Sequence, residues 1–293
     1  MPRSTARACL ALLSWLAVCT ACSRAPTAFA RPATAPQRIV AGSVLAAEVL
    51  IEIAPRDRIA GVHELAANPM FSLVADRVGG LPLLGADPEQ LLAARPDLVI
   101  LDAFTRSETV ALLTRAGVPL LRTRDPADFA DIAANIREIG AACHLEPAAE
   151  ALVVAMEGRL AAVAAGGREL GGWRVMNLDG ELNTLGRGSL FAAAVAAAGA
   201  RSLAAENGVR QFRRLDVEAV LGWRPDAIVV SATPGVGTGA GDWLHQMPGI
   251  ELLPCVGHGR VLAVPSALLA TTSHHLVDTA EFLQQALRAW GRP

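Results

Sequence analysis

Two residue types are missing from this chain of 293 residues: tyrosine is absent, and all 26 basic residues are arginine, which leaves no lysine. Without lysine there is no Schiff-base nucleophile, no P-loop phosphate clamp and no amine general base. Without tyrosine there is no phenolic acid, nucleophile or metal ligand. An excess of either charge is missing too. Against 28 acidic residues the formal net charge is −2, far from the basic footprint of a nucleic-acid binder, so no nucleic-acid partner is expected. Common catalytic motifs are absent: no Gly-x-Ser-x-Gly, no His-Glu-x-x-His, and no Gly-x-Gly-x-x-Gly after a strand. The glycine-rich stretch at 234–241 lacks a lysine and a following apolar helix, so it reads as a surface loop.

Long hydrophobic runs are scarce. One apolar run, 8–18, follows Arg3 and Arg7; its 11 residues fall short of the roughly 20 that span a bilayer and suit a signal-peptide core. Three processing points compete. Ala21-Cys22 has the small-residue-cysteine boundary of a lipidation site. Cys19 has Leu16 and Ala17 upstream but bulky Val18 directly before it. Ala28-Phe-Ala30 would direct ordinary cleavage after Ala30. Cys22 is the expected anchor, which divides the leader (1–21) from a flexible Pro/Ala/Thr-rich tether (22–36). From Cys22 onward the charge is 24 − 28 = −4, because Arg3 and Arg7 are lost. The protein is therefore expected to be exported, periplasmic or at the cell surface, and membrane-anchored through lipid; a soluble periplasmic form is the alternative. Beyond Cys22 only Cys143 and Cys255 remain, both in apolar surroundings, and both are expected to be buried thiols.

The body alternates short apolar runs with helical stretches. Strands are expected at 38–41, 58–62, 98–101 and 118–122, with helices at 45–53, 89–94 and 107–116 between them. Runs such as Leu98-Val-Ile-Leu101 have no polar alternation, which indicates a parallel sheet covered on both faces. A helical region without strand signals, 126–167, divides this N-terminal lobe (37–125) from a C-terminal α/β lobe (168–293). The second lobe has expected strands at 173–178, 227–231 and 261–264, and helices at 189–198 and 276–290. An internal repeat supports two lobes. Asp87-Pro-Glu-Gln-Leu-Leu-Ala-Ala-Arg-Pro-Asp97 matches Asp216-Val-Glu-Ala-Val-Leu-Gly-Trp-Arg-Pro-Asp226, in each case followed by an apolar strand. In each copy the first Asp is expected to cap a short helix, with a glutamate in its first turn where the dipole favours it.

The order and spacing of these pieces resemble the solute-binding proteins of ABC importers for metal chelates: ferric siderophores, cobalamin and haem. The similarity rests on Arg38-Ile-Val-Ala-Gly-Ser-Val-Leu-Ala-Ala-Glu48, the Arg58-Ile-Ala-Gly-Val62 strand, the two Arg-Pro-Asp units, and the close from Gly259-Arg-Val-Leu-Ala-Val-Pro265 to Leu276-Val-Asp278. It implies two Rossmann-like lobes with parallel sheets, bridged by a long rigid helix near 146–165, with the ligand in the cleft between them. It also implies a non-enzymatic, monomeric binder without an intrinsic cofactor, which delivers its chelate to a permease dimer with a cytoplasmic ATPase. Glu89 and Glu218, at matching places in the repeat, would be the two permease-docking carboxylates.

In open α/β sheets ligands bind beyond the carboxyl ends of the strands. In the first lobe that rule selects loops bearing Ser43, His63, Asn68, Phe104 and Arg106. In the second it selects those bearing Arg187, Arg210, Phe212, Leu269 and His274. Guanidinium forks suit the carboxylates or phosphate of an anionic chelate, and the apolar residues suit its face. The resembled haem binders use tyrosine or histidine on iron. Here Asn68-Pro69 stands where a tyrosine commonly precedes proline, so His63 or His274 would have to substitute, which puts cobalamin or a ferric chelate ahead of haem.

No metal ligands are expected. Adjacent His274 and His275 would diverge on a helix, and Cys255 and His258 lack the second half of a zinc site. Two other readings remain: a two-lobed scaffold repurposed as a metal-cofactor enzyme, which would need clustered cysteines, and a structural surface lipoprotein without a transporter.

Overall fold

The computed structural model describes residues 31–170, 172–233, 239–291 and 293. The leader, Cys19, Cys22, Ala30 and residues 234–238 of the glycine-rich stretch lie outside the described residues. The strands are β1 (Ile39–Ala41), β2 (Ile59–His63), β3 (Leu83–Leu84), β4 (Leu98–Leu101), β5 (Leu120–Arg122), β6 (Arg174–Asn177), β7 (Asn183–Leu185), β8 (Arg201–Ser202), β9 (Phe212–Arg214), β10 (Ala227–Ala232) and β11 (Val261–Pro265). The first five form one parallel sheet in the order β3-β2-β1-β4-β5. A second parallel sheet runs β11-β10-β6-β8, and β7 pairs antiparallel with β9 beside it.

Helices cover both faces of each sheet. The first lobe contains α1 (Val44–Ile53), α2 (Pro88–Ala93) and α3 (Ser107–Arg115). Next come α4 (Phe129–Cys143) and the 21-residue α5 (Glu146–Gly166), which joins the lobes. The second lobe holds α6 (Leu190–Ala197), α7 (Leu203–Glu206), α8 (Val217–Trp223), α9 (Asp242–Gln246), α10 (Pro254–Gly257), α11 (Ser266–Ala270) and α12 (Leu276–Trp290).

Strand periodicity explains the layering. In β1 and β4, Ile39, Ala41, Leu98 and Ile100 join the core against α1 and α4, while Val40, Val99 and Leu101 pack with Leu91 and Leu113 on the other face. The second sheet repeats this: Val175, Ala227 and Val229 face one side, and Met176, Ile228 and Val230 the other. The core beneath the first sheet runs without a break into the second lobe, through Val153, Met156 and Val163 of α5 to Trp173 and Leu283.

The repeat has a structural role that its sequence did not specify. Asp97 accepts from the backbone N–H of Arg38 at 2.9 Å, and Asp226 from that of Arg174 at 2.9 Å, so each aspartate fixes the entry to the first strand of its lobe. The preceding Arg95 and Arg224 both adopt left-handed backbone, with φ of 48° and 52°. The expected capping holds for Asp216, whose side chain accepts from Ala219 N–H at 2.7 Å, but not for Asp87, which makes no side-chain cap.

Two further expectations are corrected. The tether is not free over its described part: Arg31 pairs with Glu146 at 2.6 Å, the Pro32 carbonyl meets His144 Nε2 at 2.8 Å, and Arg58 donates to the Pro36 carbonyl at 2.7 Å. Arginine and histidine reaching for backbone carbonyls hold it against the start of α5. The loops expected to bear Arg187, Arg210 and Phe212 are not plain loops either, because β7 and β9 form in and beside them. Cys143 and Cys255 are buried free thiols, pushed up by burial to about 12 and about 11.

Candidate functional site

Because the strands are parallel, the loops leaving their carboxyl ends gather along one edge of each sheet. On the first-lobe side these loops line a cavity of about 210 Å³ that includes Ser43, His63, Asp102, Phe104 and Arg124, with Thr272 contributed by the C-terminal part of the chain. Drug-sized ligand pockets hold about 300–1,000 Å³, so this cavity is smaller than such a pocket. The Ser43 hydroxyl caps α1 by accepting from Ala46 N–H at 3.2 Å. Nδ1 of His63 accepts from Leu65 N–H at 3.2 Å, which leaves its Nε2 side for the cleft. Phe104 is 75% exposed on a turn that is firmly held. Asp102 accepts from Phe104 N–H at 3.0 Å and from the Thr105 hydroxyl at 2.9 Å, and Arg122 donates to the carbonyls of Asp102 and Ala103.

In the second lobe a cavity of about 440 Å³ is lined by Arg187, Ser189, Arg201 and Glu206, together with Ala127 and Asp128 from the segment leading into α4. Both cavities therefore draw residues from either side of the lobe junction. Arg187 and Arg210 face each other across a backbone bridge, with Gln211 N–H donating to the Arg187 carbonyl at 2.8 Å. Gly186 permits that approach, since a Cβ there would run into the Val209 backbone. Phe212, at the start of β9, is 62% exposed. The β7 side is fixed by Asn177, whose side-chain oxygen accepts from Leu185 N–H at 2.9 Å, and by Asp179, which accepts from Glu181 and Asn183 N–H at 2.9 Å each. Burial would raise the Asp179 carboxyl, but its bonds to Asn183 and Glu181 hold it below the usual range.

The expected ligand residues thus divide. Ser43, His63 and Phe104 share one cavity, Arg187 lines the other, and Arg106, Asn68, Arg210, Phe212, Leu269 and His274 line neither. Arg106 is exposed at the entry to α3. Asn68 serves a turn, its Oδ1 accepting from Met70 N–H at 2.9 Å, and Leu269 packs on the core. Glu89 and Glu218 are exposed in the first turns of α2 and α8. α2 leads into β4 and α8 into β10, so the two glutamates hold matching places in the two lobes.

The periplasmic binding protein family matches residues 39–268. The chain belongs to that family. It is 27% identical over 202 residues to a cobalamin-binding protein of Halobacterium salinarum, covering 68% of this chain and 54% of the relative. The chain thus spans about half the length of the curated relatives it matches. Among solved structures it resembles the apo periplasmic heme-binding protein RhuT of Roseiflexus sp. RS-1, with a TM-score of 0.74 and 26% identity over 86% of this chain and 99% of that one. It also shares its fold with the periplasmic vitamin B12 binding protein BtuF of Vibrio cholerae, with a TM-score of 0.67 and 18% identity over 87% and 97% of the chains. The two-lobed α/β architecture is that of these binding proteins. Among the described residues, no helix is long and apolar enough to cross a membrane.

In this periplasmic binding protein the C-terminal contribution to the cleft is set by a residue that the sequence reading passed over. Glu48 of α1 has no solvent exposure. Its Oε1 accepts from Leu73 N–H at 2.9 Å, and its Oε2 accepts from the hydroxyls of Ser273 at 2.6 Å and Thr271 at 3.3 Å. Thr272, between those two, is the residue that reaches the cleft cavity. The available signal was a glutamate amid the alanines and aliphatics of α1.

One turn further along, Glu52 stands beside His274 and His275, and one ligand atom from each lies within 4.8 Å of the others. The expectation that the two histidines diverge is overturned. They occupy the turn ahead of α12, not a helix, and their rings lie 4.1 Å apart. Burial, with the neighbouring His275, lowers His274 to about 4, so its imidazole is neutral.

Replacing Glu48 with alanine strands a buried amide and two hydroxyls. The expected loss is about 3 kcal/mol, read as a lower urea midpoint with unchanged slope.

Proposed function

We propose that the chain is the extracytoplasmic capture component of an ABC importer, a monomer that holds a bulky metal chelate of the cobalamin or ferric-siderophore class between its lobes and presents it to a permease dimer with its ATPase. The observation that carries this reading is the pairing of strongly exposed Phe104 and Phe212, one per lobe, with exposed Arg106, Arg187 and Arg210 in the neighbouring loops. Apolar rings suit a macrocycle or hydrocarbon face, and guanidinium forks suit its carboxylates or phosphate. The cobalamin-binding relative supports the ligand class.

Haem is the second reading. It is favoured by the likeness to RhuT, and His63 is the cleft imidazole that would meet iron.

Titrating the purified protein with cyanocobalamin, hemin and several ferric siderophores, followed by tryptophan fluorescence, separates these outcomes. A corrinoid or ferric chelate is expected to bind most tightly. Tightest binding of hemin, lost in His63→Ala, would select haem instead, and no binding of any of the three would sink the importer reading. Arg187→Ala with Arg210→Ala is expected to weaken an anionic chelate about tenfold or more, leaving circular dichroism unchanged. Unaltered affinity would mean that the arginine contacts are misassigned.

The mature chain is held at the membrane through acylated Cys22, since several acyl chains together anchor firmly where one does not. Mass spectrometry of the N-terminal peptide should find a lipidated Cys22; a free amino terminus at Arg31 would refute it.

Glu89 and Glu218 present one carboxylate per lobe toward the paired subunits of the permease. Such rim charges chiefly set encounter rate and salt sensitivity. Replacing both with alanine should abolish stimulation of transporter ATPase activity while chelate affinity and melting temperature hold. Full stimulation in the double variant would leave them as helix-start residues.

A further inference from the structure

We propose that the chain carries a second binding site, for one divalent transition-metal cation of the zinc class, formed by Glu52 of α1 with His274 and His275 ahead of α12. The site is separate from the chelate cleft, and the inference does not rest on the importer reading. Ser43, at the cleft, caps the start of α1. Glu52 lies nine residues on, about 13 Å along the helix axis.

Three observations converge there. First, the donor set suits such an ion: imidazole nitrogen and carboxylate oxygen bind zinc-like cations, and three protein ligands leave a position for water. The ligand atoms lie within 4.8 Å of one another. Tetrahedral ligands about 2.1 Å from zinc are about 3.4 Å apart, so side-chain rotation has little distance to close. Second, each histidine has a buried ring nitrogen without a hydrogen-bond partner: Nδ1 of His274, a residue only 7% exposed, and Nε2 of His275. An orphaned buried nitrogen is costly, and in His274 it is an unprotonated lone pair or an undelivered N–H. Third, His275 is held the way a metal-ligating histidine is held. Its Nδ1 meets Asp278 Oδ2 at 2.7 Å, which orients the ring and leaves Nε2 for a ligand.

Charge in the surroundings is mixed. Arg77 pairs with Oε1 of Glu52, and Arg159 pairs with Asp278 and Glu281. The three carboxylates outnumber the two guanidiniums, and Oε2 of Glu52 has no bond to Arg77. With Glu52 in the first lobe and His274 and His275 in the C-terminal segment, a bound ion would clip the two together.

The test uses the full chain without an affinity tag, stripped by chelator and dialysed into metal-free buffer. Zinc is titrated by calorimetry and thermal shift, with magnesium as the control. Expected are one zinc per chain and a melting temperature about 5 °C higher at a hundred-fold excess over the dissociation constant, with no response to magnesium. The His274→Gln, His275→Gln double variant should lose both effects. Because it alters buried rings, Glu52→Gln is measured beside it and should weaken zinc about tenfold with a nearly unchanged metal-free melting temperature. Absence of zinc binding in the parent chain overturns the proposal. So does equal affinity in the variants, which would place the ion at exposed histidines such as His245 and His258.

Discussion

A single buried carboxyl group connects the two halves of this binding protein. Glu48 lies inside the first lobe, yet two of its three hydrogen bonds come from Thr271 and Ser273, more than 220 positions away in sequence, at separations of 223 and 225. A carboxyl group in apolar surroundings is strongly unfavourable unless its oxygens are satisfied. The fold can therefore retain Glu48 only if the 271–275 segment lies against α1. That requirement sets one end of the segment at the cleft, through Thr272, and the other at Glu52, through His274 and His275. It also delivers α12 to its place, where Thr279 donates to the Leu268 carbonyl at 2.6 Å.

From there the lobes are locked by groups that tolerate little displacement. Gln284 of α12 donates to the Val163 carbonyl at 2.6 Å, and Arg288 donates to that of Gly166 at 2.7 Å, so the last helix binds the open end of α5. Gly167 and Gly199 let α5 and α6 touch: a Cβ on Gly167 would stand 2.6 Å from the Ala198 carbonyl oxygen, and Gly199 has a φ of +89°. The Trp173 indole donates to the Gly291 carbonyl at 3.1 Å while its ring carries the Arg260 guanidinium 5.0 Å from its centre. Opening such a joint would expose a core that is continuous across the lobes, and close-packed interiors resist that deformation.

The elements legible in the sequence were those whose signal is local. The run Leu98-Val-Ile-Leu101 needs both faces covered and could only be a buried parallel strand, and α12 begins and ends where its apolar period does. The Arg-Pro-Asp repeat was visible, though its role was not, because the partner of each aspartate is a backbone N–H some 50 to 60 residues earlier. Strands β3, β7 and β9, of two or three residues each, carry too few positions for a period to show. The helical geometry that would make His274 and His275 diverge begins only at Leu276. Of the candidate site, topology alone selects the loops, but which residues share a cavity depends on turns such as Asn68–Met70 that point a side chain inward to the backbone.

With a rigid joint, the recognition proposed above falls to the loops themselves. Those loops are held by side chains that bond to their backbone: Arg122 beneath Asp102 and Ala103, Asn177 beneath Leu185, and Asp179 across the turn to Asn183. Each ties loop backbone to a strand of the sheet or closes a turn at its end, so Phe104, Arg187 and Arg210 project from supports already ordered before anything binds. Ordering costs are thereby met in folding and not in binding, which is the condition for useful affinity from a few exposed contacts. Under the proposed function it also confines selectivity to the projecting side chains. On the proposed assignment, a chain with this frame would change its ligand by exchanging an arginine or a phenylalanine at a loop tip, while the Glu48 connection, the two strand-fixing aspartates and the glycine contact between α5 and α6 stay as they are.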